Sequence, residues 1–194
     1  MKFTIAISAS LLVLASVVAA TSVAQIKDDI KVMDASVDNL NNHLQIDTLN
    51  YFNGLAIKAA SGELTSKIKT VSDDCKQLDG KPTSADAKEV IEALSKTQLK
   101  VQTATQRMTQ LQKQFEKLGV AGLARSSISD FKTETAGLAE QLVAIAPAEQ
   151  QTVAKNLAAK FNNNLAAVAD AYQGETGKTQ AEADADAAAA GAKQ

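Results

Sequence analysis

The residues able to do chemistry are few, and they do not converge. The 194-residue chain holds one His and one Cys, so a metal centre or a disulfide framework built on several such side chains is excluded. His43 stands between Asn42 and Leu44 and reads as a surface histidine beside an apolar stripe. Cys75 falls on an apolar stripe and reads as a small buried hydrophobe, with an intermolecular disulfide as the second reading. The acidic pairs Asp28-Asp29 and Asp73-Asp74 are adjacent in sequence. On a helix such neighbours point about 100° apart, so neither pair can flank one scissile bond. Ser126-Ser127 beside Arg125 reads as a capping and linker region. Lys96, Lys100, Arg107 and Lys113 lie off the stripe of their segment and read as an ordinary solvated face that anionic head groups could meet. There is no phosphate loop and no nucleophile elbow. No enzyme, no cofactor and no metal are expected.

The elements that carry these residues share one period. Ile26, Ile30, Met33, Val37, Leu40 and Leu44 alternate spacings of four and three, which places them on one face of a helix. Asn53-Gly54 reads as the loop that ends it. A second stripe runs through Ile57, Leu64, Ile68, Val71, Cys75 and Leu78 and closes at Gly80-Lys81-Pro82. The third, capped by Thr83 or Ser84, runs from Ala87 through Leu94, Val101, Met108, Leu111 and Phe115, with Gly119 as its stop. The fourth carries Leu123, Ile128, Phe131, Leu138, Leu142 and Ile145. Pro147 suits the first turn of the fifth, whose stripe is Val153, Leu157, Phe161, Leu165, Val168 and Tyr172. Short links between helices of similar length predict an all-α fold, an up-and-down bundle of about five amphipathic helices, in which consecutive helices pack together.

Composition agrees. Hydrophobic residues make up 45% of the chain and aromatics only 4%, so the core is aliphatic and small. A formal charge of -2 excludes a basic face for nucleic acid. Residues 1–20, with Lys2 ahead of an apolar run and small residues behind it, read as a signal peptide cleaved near Ala20 or Ala24. Residues 25–172 form the bundle domain. Residues 173–194 form a flexible Ala-rich acidic tail with no hydrophobic anchor signal, so the protein is expected to be released outside the cell.

Several stretches then carry a resemblance. They are Ile26-Lys27-Asp28-Asp29-Ile30 through Val37-Asp38-Asn39-Leu40, then Asn53-Gly54-Leu55-Ala56-Ile57-Lys58. Ala144-Ile145-Ala146-Pro147-Ala148-Glu149 and Ala169-Asp170-Ala171-Tyr172 complete the set. Over about residues 25–172 the chain resembles the fungal hydrophobic surface binding protein A family, which includes the cell wall galactomannoprotein type. The resemblance implies a secreted or wall-associated non-enzyme. Its partners would be hydrophobic surfaces or fatty acids, together with secreted hydrolases brought to apolar substrates, or cell-wall components. The polar tail departs from the wall-anchored type, which carries a Ser/Thr-rich stalk and a lipid-anchor signal.

A bundle of Ala, Val and Leu with few rings packs through many interchangeable contacts, and it could open along a seam or keep a narrow tunnel. The large apolar residues at mid-stripe are the lining candidates: Leu94, Val101, Met108, Phe115, Phe131, Leu138, Phe161 and Leu165. The competing function is a structural cell-wall or host-interface interaction protein without a lipid ligand.

Overall fold

A computed structural model describes residues 21–173. The expected signal peptide and nearly all of the acidic tail lie outside the described residues. Five α-helices follow one another: α1 (Val23–Leu44), α2 (Tyr51–Lys76), α3 (Ser84–Lys117), α4 (Ala121–Ile145) and α5 (Gln151–Ala171), the last preceded by a 3-10 turn over Ala148–Gln150. The one extended pairing among the described residues is a parallel bridge between Thr21 and Leu78.

Local chemistry sets the ends. The Thr83 side chain accepts from the Asp86 amide at 3.1 Å and starts α3. Gly119, at φ 70°, lets the chain leave α3 through the left-handed region, where a side chain would be strained. Pro147 offers its carbonyl to the amides of Gln150 and Gln151 and so launches the last helix. The first break differs from expectation. α1 ends at Leu44, Asn50 caps α2 by accepting from the Asn53 amide at 2.9 Å, and Asn53-Gly54 lies within the first turn of α2. Ser126-Ser127 likewise lies within α4 rather than in a linker.

The chain runs up and down, but the neighbours do not follow sequence order. α1 packs on α2 and on α3, α2 on α4, α4 on α5, and α5 on α3, so the helices close a ring in the order 1-2-4-5-3. Lys27 near the start of α1 meets Asp86 near the start of α3, and Arg107 late in α3 meets the Leu44 carbonyl at the end of α1, so these two helices are parallel. The stripes face the centre of this ring. Ile26, Ile30, Met33, Val37, Leu40 and Leu44 are all buried, as are Leu94, Leu111, Leu165 and Val168. Val153 is an exception: it is exposed, and Ala154 takes the inward position. Tyr172 closes the upper end. It is fully buried, its hydroxyl donates to the Met108 carbonyl at 2.8 Å, and its ring meets Phe115 edge-on at 6.2 Å.

Candidate functional site

The interior is nearly filled; a small apolar void remains at the base, among Val23, Ile26, Leu78, Val90 and Leu142, and two more lie in the upper half. One apolar void sits between the first turns of α2, the last turns of α3 and the start of α4. Tyr51, Leu55, Ile57, Lys58, Ser61, Met108, Phe115, Val120, Leu123, Ala124 and Ser127 surround it. A second lies deeper, among Leu40, Ser61, Leu64, Ala104, Thr105, Met108, Ser127, Ile128, Phe131 and Val168. Ser61, Met108 and Ser127 belong to both, so the two voids meet across these residues. Each leaves about 20 Å³ open to the centre of a water-sized sphere, room for about one water. Ligand pockets run to roughly 300–1,000 Å³, so neither void has room for an acyl chain in this arrangement of the side chains.

The wall between α2 and α4 mixes small and large side chains. Small residues of α2 and α4 that meet one another or face these clefts, among them Ser61, Gly62, Ser72, Ala124, Ser127 and Gly137, stand beside the larger Ile57, Leu64, Leu123, Ile128 and Phe131. A Cβ built on Gly137 would meet only the Ser72 hydroxyl, at 3.8 Å. Small side chains let the two backbones approach closely, and α2 with α4 is the most extensively packed helix pair of the bundle. Just outside, a polar cleft shares Lys58 and Ser127 with the first void and adds Thr65, Asp130, Thr133 and Glu134. The seam therefore passes from an apolar interior to a polar rim within one turn of helix, the order an amphiphile presents.

The eight sequence-derived lining candidates are all buried. Met108 lines both voids, Phe115 the first and Phe131 the second. Leu94, Val101, Leu138, Phe161 and Leu165 border neither void and fill the core. Sequence reasoning missed the α2 wall, from Tyr51 to Ser61, and the start of α4. The signal for them was a deficit rather than a motif: small, poor helix formers such as Ser61, Gly62 and Ser127 in mid-helix.

Groups with chemical potential elsewhere are quiet. His43 is exposed. Cys75 is buried, and burial pushes its thiol up to about 12, far from a reactive thiolate. Lys100 and Arg107 are not the free solvated cations expected from their off-stripe positions. Lys100 Nζ reaches Asp34 at 2.7 Å and Asp38 at 2.6 Å, and Arg107 donates to the carbonyls of Leu44 and Ile46, closing the open end of α1. No cluster of three or more His, Cys, Asp or Glu able to hold a metal occurs among the described residues.

The hydrophobic surface binding protein A family matches residues 23–144 of the chain. Among solved structures, AfMp4p in complex with palmitic acid is similar over 78% of this chain and 100% of that one, at 20% identity and a TM-score of 0.74. Ligand binding domain 2 of the Penicillium marneffei MP1 protein, complexed with multiple arachidonic acids, is similar over 79% and 97%, at 12% identity and a TM-score of 0.73. Ligand binding domain 1 of the same protein, complexed with arachidonic acids, gives 78% and 99%, 10% identity and a TM-score of 0.71. At these identities the likeness is one of fold. No curated protein matches the sequence.

Proposed function

The chain belongs to the hydrophobic surface binding protein A family, and on that premise we propose that it is a secreted, non-catalytic binder of single-chain lipids such as fatty acids. The observation that carries this is the pair of apolar voids meeting at Met108, Ser61 and Ser127, behind a seam of small residues with Lys58 at its rim. An acyl chain enters by parting α2 and α4 from the α3 side and merges the two voids. Each methylene leaving water contributes about 0.8 kcal/mol, so about ten of them bring roughly 8 kcal/mol against the contacts the seam gives up. Ser61 and Ser127 supply hydroxyls along the path, and Lys58 supplies a cation near the polar end. Structures of the same fold hold palmitic and arachidonic acids, which supports this choice of ligand class.

Binding to hydrophobic surfaces follows from the same opening rather than from a ready-made patch. The exposed large apolar residues, Val32, Phe52, Leu99 and Val153, stand singly on four different helices. Among the described residues, the continuous apolar area lies in the interior. A protein adsorbed this way outside the cell could also hold hydrolases at an apolar substrate or stay with the cell wall. Titration with a fluorescent fatty acid tests the reading: saturable binding at micromolar protein is expected, displaced by palmitate. No binding, together with no lipid in an organic extract of the secreted protein, would remove it.

A further inference from the structure

Several peptide bonds in the leader region satisfy the small-residue pattern of signal cleavage, among them one preceded by Val18 and Ala20 and another preceded by Ser22 and Ala24. The sequence does not separate them. The fold does, because residues 21–24 are built into the base of the bundle. The Thr21 amide donates to the Gln77 carbonyl at 3.3 Å, and Thr21 pairs with Leu78 in a parallel bridge. Its hydroxyl donates to Asp74 Oδ1 at 3.4 Å. Ser22 caps α1, its hydroxyl accepting from the Gln25 amide at 3.2 Å and its carbonyl from the Ile26 amide at 3.1 Å. Val23 packs on the core beside Ile26 and Leu78. A chain that began at Gln25 would lose the cap, the tie to the end of α2 and the Val23 contact together.

A second feature stands at the same place. Asp74 of α2 faces Asp29 of α1. Burial, then the neighbouring Asp29, holds the Asp74 carboxyl above the usual carboxylate range. Asp73, next along α2, is taken up by Lys69 and Lys76, and Asp29 accepts from the Gln25 amide side chain at 2.8 Å. Among the described residues, no Lys or Arg forms an ion pair with Asp29 or Asp74. Thr21 reaches Asp74 through its hydroxyl and Gln77 through its nitrogen, which places that nitrogen at the same corner.

We propose that the leader is removed at the Ala20–Thr21 bond, and that the α-ammonium group this creates completes the base of the bundle, held on the Gln77 carbonyl beside the Asp29 and Asp74 carboxylates. In the cleavage, water adds across the amide, Ala20 leaves with the new carboxylate, and the Thr21 nitrogen takes up protons to become a cation with three donors. One donor keeps the bond to Gln77, and the others face the acidic pair. Removal of the leader thus supplies the charge this corner lacks.

This rests on the secretory reading, and one experiment separates the two. The full-length chain is expressed with its own leader in a eukaryotic secretion host, and the protein in the medium is read by N-terminal sequencing and intact mass. The expected start is Thr-Ser-Val-Ala. A start at Gln25 in the medium overturns this inference alone, whereas a chain that keeps its leader and stays in the cell overturns the secretory reading with it. The charge is tested on the secreted protein by acetylating its α-amino group at mildly acidic pH. Acetylation is expected to lower the thermal midpoint by about 3 °C, and Asp74→Asn is expected to abolish most of that difference. An acetylated protein that melts with the unmodified one overturns the proposed pairing.

Discussion

The two long seams of this bundle are built in opposite ways. α1 and α3 are stitched by polar cross-links along their length. Lys27 holds Asp86 at 2.9 Å at the base, Thr97 and Lys100 hold Asp34 in the middle, and Asn41 donates to the Lys100 carbonyl at 3.1 Å. Arg107 and Gln114 strap the loop after α1 at the top, the Gln114 side-chain carbonyl accepting from the Leu49 amide at 2.6 Å. α2 and α4 meet instead through side-chain packing, small residues such as Ser61, Ser72, Ser127 and Gly137 set among Ile57, Leu64, Ile128 and Phe131, and voids lie along their line. Each stitch is worth little alone because it is partly solvated. Together they fix the register of one pair of helices. The other pair packs more extensively, side chain on side chain, and on the proposed reading it is the wall that must yield.

Shaving Met108 to Ala should have the largest effect on stability. It joins the voids into a wider space, and the lost packing is expected to cost about 2–5 kcal/mol in denaturant melts. Fatty-acid affinity is expected to hold or rise, and a loss of affinity would place the ligand elsewhere. Next comes a clamp. The double change Ser72→Cys with Gly137→Cys, in a Cys75→Ala background, puts two thiols within bonding reach across the α2–α4 seam. The oxidised protein should bind fatty acid at least about tenfold more weakly, equivalent to about 1.4 kcal/mol, with recovery on reduction. Equal binding by the oxidised and reduced forms would erase the contrast between the seams.

Tyr172→Phe removes one buried hydrogen bond at the upper end and should cost about 1 kcal/mol, seen as a drop of about 3 °C in Tm. On the stitched side, Lys100→Ala should cost no more than about 0.5 kcal/mol and leave lipid affinity unchanged. Acid should act on the stitches as well. The Asp86 carboxyl is held below its ordinary value by Lys27, then by Thr83, and that of Asp73 by Lys69, then by Lys76. A folded-state value depressed in this way contributes stability above the unfolded value, about pH 4, that is lost as pH falls through the lowered one. Asp86→Asn should therefore flatten the acid limb of a Tm-against-pH curve. While Thr21 is still joined to the leader, Asp74 runs the other way: its raised carboxyl favours the fold at low pH, and that benefit disappears as pH rises through the raised value.

Much of this frame was legible in the residues. The four-three spacing from Ile26 to Leu44 names a face that is buried in full, and Thr83, Gly119 and Pro147 mark ends that the backbone obeys. Their effects are local, so one sequence suffices to read them. The first break was misplaced because Gly54 draws the eye, while the actual stop at Gln45–Asn50 holds neither Gly nor Pro and depends on the Asn50 cap. Periodicity also shows that each helix has an inner face without saying which helix it meets, so the 1-2-4-5-3 ring and the Lys100 and Arg107 cross-links stayed hidden. The voids were harder still. They arise where side chains are too small to fill space between three helices, and a search for large apolar residues reached Met108, Phe115 and Phe131 while passing over Ser61 and Ser127.

The tyrosine that closes the upper end has an optical consequence. The chain has no Trp and only two Tyr, so its ultraviolet emission comes from Tyr172 and Tyr51. One is sealed with its hydroxyl tied to a peptide carbonyl, and the other borders the space a guest would enter. Loading and unloading should therefore change the intensity and lifetime of the protein's own light, and a cuvette without any added dye becomes a gauge of how far the wall has moved.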